Sequence, residues 1–361
     1  MALPTKTDEW VVKSASSTNF NLHLSKSVPI QSLGPNDVLL EIKAISLNYR
    51  DLAIARGTYP LPTTFPLIPT SDASALILAT GAAITTLAPG TPVLILPAPL
   101  HTTGPLTSAT HAAPGDGHHP GLLRRHAVLP ASWVARYPAH LSYVEAATIG
   151  AAGLTAWNAL FGAGLPGVAG GAGPRGIRAG DVVLTQGTGA VALFAAGFAV
   201  RAGARVIGTT SSAGKTRWLR ALGVAEVLNY REDGRWGETA RGLTAGGEGV
   251  DLVVDVGGAG TLGQSLRAIR YDGTVAVTGF LSGGEDGPGP SLMEVLPRAA
   301  NVRGILAGSR AQYEEMVGKM EEWEFRPVVD ERVFGFGEVE EAYEYLWAQK
   351  HVGKVVIEVA K

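Results

Sequence analysis

The stretch DVVLTQGTGAVALFAAGFAVRAGARVIGTT, Asp181–Thr210, decides how this chain is read. Val182 to Thr185 is a β-branched, apolar run that predicts a strand. It enters the spacing Gly187-x-Gly189-x-x-Ala192. A proline-free, alanine-rich segment follows as far as Ala202, then a turn at Gly203 and a second β-branched run at Arg205–Ile207. Strand, glycine turn, helix and strand in that order make a βαβ unit, which is the setting such a spacing needs. Gly187 permits the tight turn, Gly189 lets the backbone approach a pyrophosphate, and the small Ala192 lets helix pack on strand. Unpaired N–H groups of Thr188, Gly189, Ala190 and Val191 at the helix start favour an anion. An ordinary glycine turn in an α/β sheet would explain the glycines but not the whole succession.

The same unit bears on the choice of nucleotide. A site for NAD carries Asp or Glu about 20 residues past the glycines, where it binds the ribose 2′-hydroxyl. Here no acid occurs from Val182 through Ala225, and the second strand ends in Thr209-Thr210-Ser211-Ser212 with Lys215 and Arg217 behind it. Hydroxyls and a cation suit a 2′-phosphate, which a carboxylate would repel. The expectation is NADP(H), held by Gly187, Thr188, Gly189, Ala190, Val191, Thr210, Ser211, Ser212 and Lys215.

Composition bounds the remainder. A chain of 361 residues, 46% hydrophobic and 17% charged, is most simply two domains with substantial cores. A net charge of −2 gives no electrostatic case for nucleic acid or an anionic membrane. Absence of cysteine excludes disulfides, thiolate nucleophiles and Cys-ligated zinc. Met1–Val12 carries Lys6, Asp8 and Glu9 without the apolar core of a signal peptide, and no apolar run has spanning length, so the expectation is a cytoplasmic protein.

Residues before about 135 are β-rich and punctuated by proline and glycine, with runs at Val38–Ile45, Ala75–Leu78 and Val93–Leu96. Polar clusters interrupt them at Ser46-Leu47-Asn48-Tyr49-Arg50-Asp51-Leu52 and Thr70-Ser71-Asp72. Ser142, with Glu145 three residues on, reads as a capping box. After Ser212 the pattern predicts a helix at Trp218–Leu222 and strands at Val227–Tyr230, Val250–Val256, Val275–Gly279 and Arg303–Leu306. Helices at Gln312–Glu324 and Glu338–Trp347 and a strand at Lys354–Val359 complete the chain. Gly257 and Gly258 follow a strand end, where open α/β sheets bind ligands.

SLNYRDL (46–52), PLIPTSD (66–72), ATIGAAGLTAWNAL (147–160) and QGTGAVALFA (186–195) occur in order. With VDLVVDVGGAGTLGQSL (250–266), VAVTGFLSG (275–283), RGILAGSR (303–310) and KHVGKVVIEV (350–359), they resemble the medium-chain dehydrogenase/reductase superfamily across nearly the whole chain. The closer likeness is to its zinc-free quinone oxidoreductase and enoyl reductase branch. The resemblance implies an α/β protein: a GroES-like β-rich catalytic domain (1–138 and 311–361) around a Rossmann domain, a doubly wound parallel sheet (139–310), with nicotinamide and substrate in the cleft between. It implies cofactor contacts from Asn48, Thr155, Tyr230, Phe280, Leu281, Ser282 and Arg310; for Tyr230 a strand-end packing role is the alternative. It also places the zinc ligands of zinc-dependent members at Asn48, at Ser71 and near Ala151, with a neighbouring acid at Asp72. None of those three is a soft ligand, and no metal site is expected.

Two insertions stand apart. Residues 97–121 hold His101, His111, His118 and His119 at irregular spacing and read as a solvated loop; residues 162–176 read as a mobile, glycine-rich surface loop. Many relatives pair through the sheet edge of the cofactor domain, and Gly273–Leu281 is the segment expected to do so in a homodimer. For chemistry, the cofactor supplies hydride and the protein must orient a small-molecule substrate and furnish a proton. Tyr49 is the first candidate donor. Arg50 could stabilise enolate charge and Asp51 could orient either, although the two could equally form a structural ion pair. Asp72 reads as a turn cap. The leading expectation is NADPH-dependent reduction of an activated C=C bond, in an enone or enoyl thioester. Carbonyl–alcohol oxidoreduction, or a non-redox lyase, cyclase or binding protein on the same fold, are the alternatives.

Overall fold

A computed structural model describes residues 2–162, 176–282 and 290–359. All but the first and last residues of the expected glycine-rich loop lie outside them. The chain divides into two compact units, Met1–Ala151 with Ser309–Lys361, and Ala152–Gly308.

The first unit opens with an antiparallel pair, β1 (Lys6–Val12) and β2 (Leu22–Pro29). There follow β3 (Asp37–Ser46), α1 (Tyr49–Arg56), β4 (Asp72–Thr80), β5 (Pro92–Ile95), β6 (His126–Pro130), β7 (Val134–Ala135) and the short α2 (Tyr143–Ala146). The capping box forms as the sequence predicts: Ser142 accepts from the Glu145 N–H, and the Glu145 carboxylate accepts from the Ser142 N–H at 2.8 Å. Because α2 packs against β3 and β4, this unit runs on to Ala151, beyond the expected boundary at residue 138.

The second unit contains α3 (Leu154–Phe161), β8 (Val182–Gln186), α4 (Ala190–Arg201), β9 (Arg205–Thr210), α5 (Thr216–Ala221) and β10 (Glu226–Asn229). It continues with α6 (Trp236–Gly242), β11 (Val250–Asp255), α7 (Ala259–Ala268), β12 (Ile269–Val277) and β13 (Asn301–Gly304). Among the described residues its sheet has six strands, all parallel, in the order β10-β9-β8-β11-β12-β13. This is the doubly wound order in which both halves start at the centre. Strands covered on both faces are near-continuously apolar. Leu184, Ile207, Val253 and Val275 are accordingly fully buried, each contributing roughly 1.5–3 kcal/mol relative to exposure. α4 is buried along most of its length, from Ala192 to Ala199, and its small residues let Phe198 meet Trp157 of α3 edge-on at 5.6 Å. The last strand is Asn301–Gly304, two residues earlier than the pattern indicated.

The order also corrects one expectation. Gly273 to Val277 belongs to β12, an interior strand; among the described residues the edges are β13, next to it, and β10 at the far side. Which strand lies at an edge is set by the strand order, and no local pattern in the sequence gives that order.

The chain then returns to the first unit with α8 (Arg310–Glu322), β14 (Val329–Gly335), α9 (Val339–Trp347) and β15 (Lys354–Glu358). β15 is no edge: it lies between β14 and β3, pairing Val356 with Ser46 and Ile357 with Ile45. Thus the last strand completes the sheet from which the polar cluster at Asn48 projects. No helix among the described residues is long and apolar enough to cross a membrane.

Candidate active site

In the second unit the glycine turn is formed as the spacing requires. Gly187 has φ +81°, and its N–H is pinned by the Thr209 hydroxyl at 3.2 Å. A methyl group built on Gly187 or Gly189 would meet no atom within 4 Å beyond its chain neighbours. Gly189 starts α4 without a side-chain cap, so the first N–H groups of a 12-residue helix open onto that space. This cradle fits a pyrophosphate. At the end of β9, Thr210 is buried and folds the turn by donating to the Ser212 carbonyl at 3.2 Å, while Ser211, Ser212 and Lys215 are half-exposed beyond it. Ser282 is spent on the β11 turn, donating to the Gly257 carbonyl at 2.5 Å. Phe280, Leu281 and Tyr230 expose about two fifths of their surface (39%, 41% and 41%). Thr155 lies half-exposed on α3.

In the first unit, three polar side chains that are far apart in sequence converge. Lys354, 2% exposed, donates to the Leu47 carbonyl at 2.9 Å and to Asn48 Oδ1 at 2.7 Å. Its third direction meets Asp72 Oδ2 at 3.4 Å. Asp72, also buried, accepts from Asn48 Nδ2 at 2.9 Å and from the Ala151 N–H at 2.9 Å. Asp72 is therefore a buried anchor and not a turn cap. Burial pulls the Lys354 ammonium below its ordinary value, and the neighbouring Asp72 and Asp51 carboxylates oppose that pull. Sequence reading placed Lys354 at a strand start without a role. The signal was there, a lone charge leading an otherwise apolar run behind Gly353.

The tryad of Tyr49, Arg50 and Asp51 forms the first turn of α1. Asp51, 1% exposed, accepts the Asn48 N–H at 2.8 Å, which satisfies one donor at the helix start. Arg50 Nη1 donates to the Pro114 carbonyl at 2.9 Å and lies 3.7 Å from Asp51 Oδ1, with the guanidinium 5.5 Å from the Tyr59 ring centre. That is the geometry of a brace for loop 97–121. Tyr49 stacks on Trp347 with ring centres 6.1 Å apart and planes 2° apart, and burial raises its phenol, which stays protonated at neutral pH.

Burial pushes Asp51 up to about 6, against the lowering effect of Arg50. A carboxyl raised on folding contributes stability that is present below the ordinary carboxylate range and lost as pH rises through about 6. Asp51→Asn keeps an acceptor for Asn48 but has no such step. Wild type should lose about 3 kcal/mol relative to this variant between pH 4 and pH 8 in urea melts. Parallel pH profiles would show that Asp51 is ionised in the fold throughout.

Loop 97–121 is only partly the expected solvated insertion: residues 102–109, His111 and His118 are exposed, but its flanks are packed. His101 is 6% exposed, and its carbonyl caps α8 by accepting the Arg310 N–H. Gly117 lies so close to Thr64 that any side chain would clash with its carbonyl, at 2.0 Å. His119 Nδ1 pairs with Asp116 at 3.1 Å. The Arg310 guanidinium bonds the Ser132 and Val134 carbonyls within this same unit. Among the described residues no group of three or more His, Asp or Glu is placed to hold a metal ion.

A GroES-like β unit and a doubly wound parallel unit with an open phosphate cradle define a two-part oxidoreductase of the dehydrogenase type. The family model for the alcohol dehydrogenase GroES-like domain matches residues 34–139, and that for zinc-binding dehydrogenases matches 190–322. A zinc-type alcohol dehydrogenase-like protein of Schizosaccharomyces pombe is 39% identical over 91% of this chain and 92% of its own. A solved structure of a protein assigned as an alcohol dehydrogenase from Sinorhizobium meliloti 1021 is 37% identical, covers 99% of this chain and 100% of its own, and superposes with a TM-score of 0.84. Another, titled an NAD-dependent alcohol dehydrogenase, is 28% identical with a TM-score of 0.83 over 98% and 100% of the two chains. The chain belongs to the medium-chain dehydrogenase/reductase superfamily. The zinc in its relatives' names does not fit the residues here, because both ends of the Asn48 amide and the Asp72 carboxylate are already bonded and a buried ammonium adjoins them.

Proposed function

We propose that this oxidoreductase uses NADP(H) to reduce an activated C=C bond, in an enone or enoyl thioester, without zinc. The observation that carries the reading is the locked Asn48–Asp72–Lys354 cluster, in which Asn48 stands at one of the zinc-ligand positions implied by the resemblance and Asp72 at the neighbouring acid. With those groups spent on one another, polarisation of the substrate falls to neutral hydrogen-bond donors. A neutral donor activates a simple ketone weakly, whereas a conjugated acceptor spreads the developing charge into an enolate. Tyr49, kept protonated by burial, donates to that charge. The Gly187–Val191 turn holds the pyrophosphate, and Ser211, Ser212 and Lys215 hold the 2′-phosphate. Thr155, Tyr230, Gly257, Gly258, Phe280 and Leu281 complete the proposed cofactor contacts, whereas Asn48, Ser282 and Arg310 spend their side-chain groups on hydrogen bonds within the protein. Bound NADPH supplies the hydride.

The test is NADPH oxidation with an enone, an enoyl thioester and a simple ketone, each with and without a chelator. The enone or thioester should be turned over with or without chelator, and Tyr49→Phe should lower kcat on the order of 100-fold. Turnover of the ketone alone, abolished by chelation, would establish the second reading, carbonyl–alcohol oxidoreduction, which the names of the relatives favour.

Two copies are proposed to pair along the free edge of β13, where Val302 is 42% exposed and Leu292 and Leu296 are 88% and 70% exposed. A single-chain mass by light scattering at micromolar concentration would remove this part.

A further inference from the structure

Parallel strands β8 and β11 pair side by side only as far as Thr185 and Val254. One residue later, Gln186 pairs with Thr209 of β9 and Asp255 pairs with Val277 of β12. The two strands thus part company where the two halves of the sheet diverge, which is where such sheets bind ligands. Backbone groups at that parting have no ladder partner, and a buried N–H left bare is costly.

A single side chain fills the gap. Gln186, 4% exposed, accepts from the Val256 N–H at 3.1 Å and from the Gly257 N–H at 3.4 Å with one end of its amide. With the other end it donates to Asp255 Oδ2 at 3.0 Å and to Ser265 Oγ at 2.8 Å. Asp255, fully buried, also accepts from the Ser265 hydroxyl at 2.6 Å, the Thr261 hydroxyl at 2.8 Å and the Gly258 N–H at 2.8 Å. Four donors therefore saturate a carboxylate that, among the described residues, has no cation bonded to it. Gln186, Asp255 and Ser265 are buried, Thr261 is half-buried, and all four are hydrogen-bonded, the condition under which such a network specifies one geometry. Gln186 immediately precedes the Gly187 turn, so its backbone belongs to one lip of the parting while its side chain grips the other.

We infer that Gln186 is a positioning residue that fixes the Val256–Gly258 turn against the Gly187–Gly189 turn, and so sets affinity for a ligand long enough to bridge both, a dinucleotide. This rests on the nicotinamide-cofactor reading given above. The adenosine half of the ligand lies on the β9 side, with the groups proposed for its 2′-phosphate, and does not depend on the grip. Gln186 acts through the turn and is not itself a contact.

The experiment is titration of the intact protein and its Gln186→Leu and Ser265→Ala variants with NADPH, NADH, adenosine 2′,5′-bisphosphate and AMP, with melting temperatures alongside. Gln186→Leu should raise the Kd of the dinucleotide that wild type prefers on the order of 10- to 100-fold and leave the matching half-ligand unchanged. Ser265→Ala, which removes two bonds from the same network but leaves the Gln186 grip on Val256 and Gly257, should do so to a smaller degree and serves where Gln186→Leu does not fold. Equal weakening of dinucleotide and half-ligand, or a lowered melting temperature with unchanged Kd values, would overturn the inference and leave Gln186 a structural residue. Failure of wild type to bind either dinucleotide would instead overturn the reading beneath it.

Discussion

Lys354→Met is expected to destabilise the first unit by about 3–5 kcal/mol, the cost of breaking a buried ion pair from one side. Methionine nearly matches lysine in volume, so packing changes little and the loss reports the charge. Asp72 would keep its bonds from Asn48 and from the Ala151 N–H but lose the ammonium beside it. The Leu47 carbonyl and Asn48 Oδ1 would lose their shared donor. Asp72→Asn in the Lys354→Met background removes the uncompensated charge and should recover a large part of the loss. The two substitutions should therefore be strongly non-additive in urea melts. A cost below about 1 kcal/mol for Lys354→Met, a value typical of surface pairs, would mean that the ammonium is not engaged as described.

Ser211→Glu is expected to weaken NADPH binding about 100-fold, equivalent to about 3 kcal/mol, and to strengthen NADH binding. The glutamate would stand just past the end of β9, where the NAD pattern has its acid, and its charge would face the 2′-phosphate. Thr210 is the wrong position for the test, since its buried hydroxyl closes the turn. Titration of wild type and variant with both dinucleotides reads the result directly. Equal affinity of wild type for the two would remove the proposed 2′-phosphate site, and an unchanged preference in the variant would move it elsewhere on the unit.

Much of this was legible before any coordinates, for reasons that differ by region. The second unit announced itself because its βαβ signal is local: Val182–Thr185, the glycines and Arg205–Ile207 all lie within 30 residues of one another. The first unit is assembled from segments far apart, so its site was only half visible. Asn48 and Asp72 could be picked out as polar interruptions, but their third partner is 282 residues from Asp72, and no local pattern reports that distance. For the same reason the packed flanks of loop 97–121 were missed: His101 and Gly117 look like surface, and the backbone of Thr64 that Gly117 abuts cannot be inferred from them. Gln186 was seen only as the residue before a glycine turn. Its importance lies in what the neighbouring strand does one residue later.

The interior position of β15 has a consequence for how this chain can be made. Synthesis runs from the N-terminus, and the parallel unit, Ala152–Gly308, is contiguous and can fold as it emerges. The unit that begins first must wait longest. Until β15 has been synthesised, β3 lacks a neighbour along Ala44–Ser46, and Asp72 is a carboxylate destined for burial without its counter-charge. A nascent chain arrested before residue 354 would thus carry one finished half and one open sheet, the state most exposed to chaperones and to proteolysis.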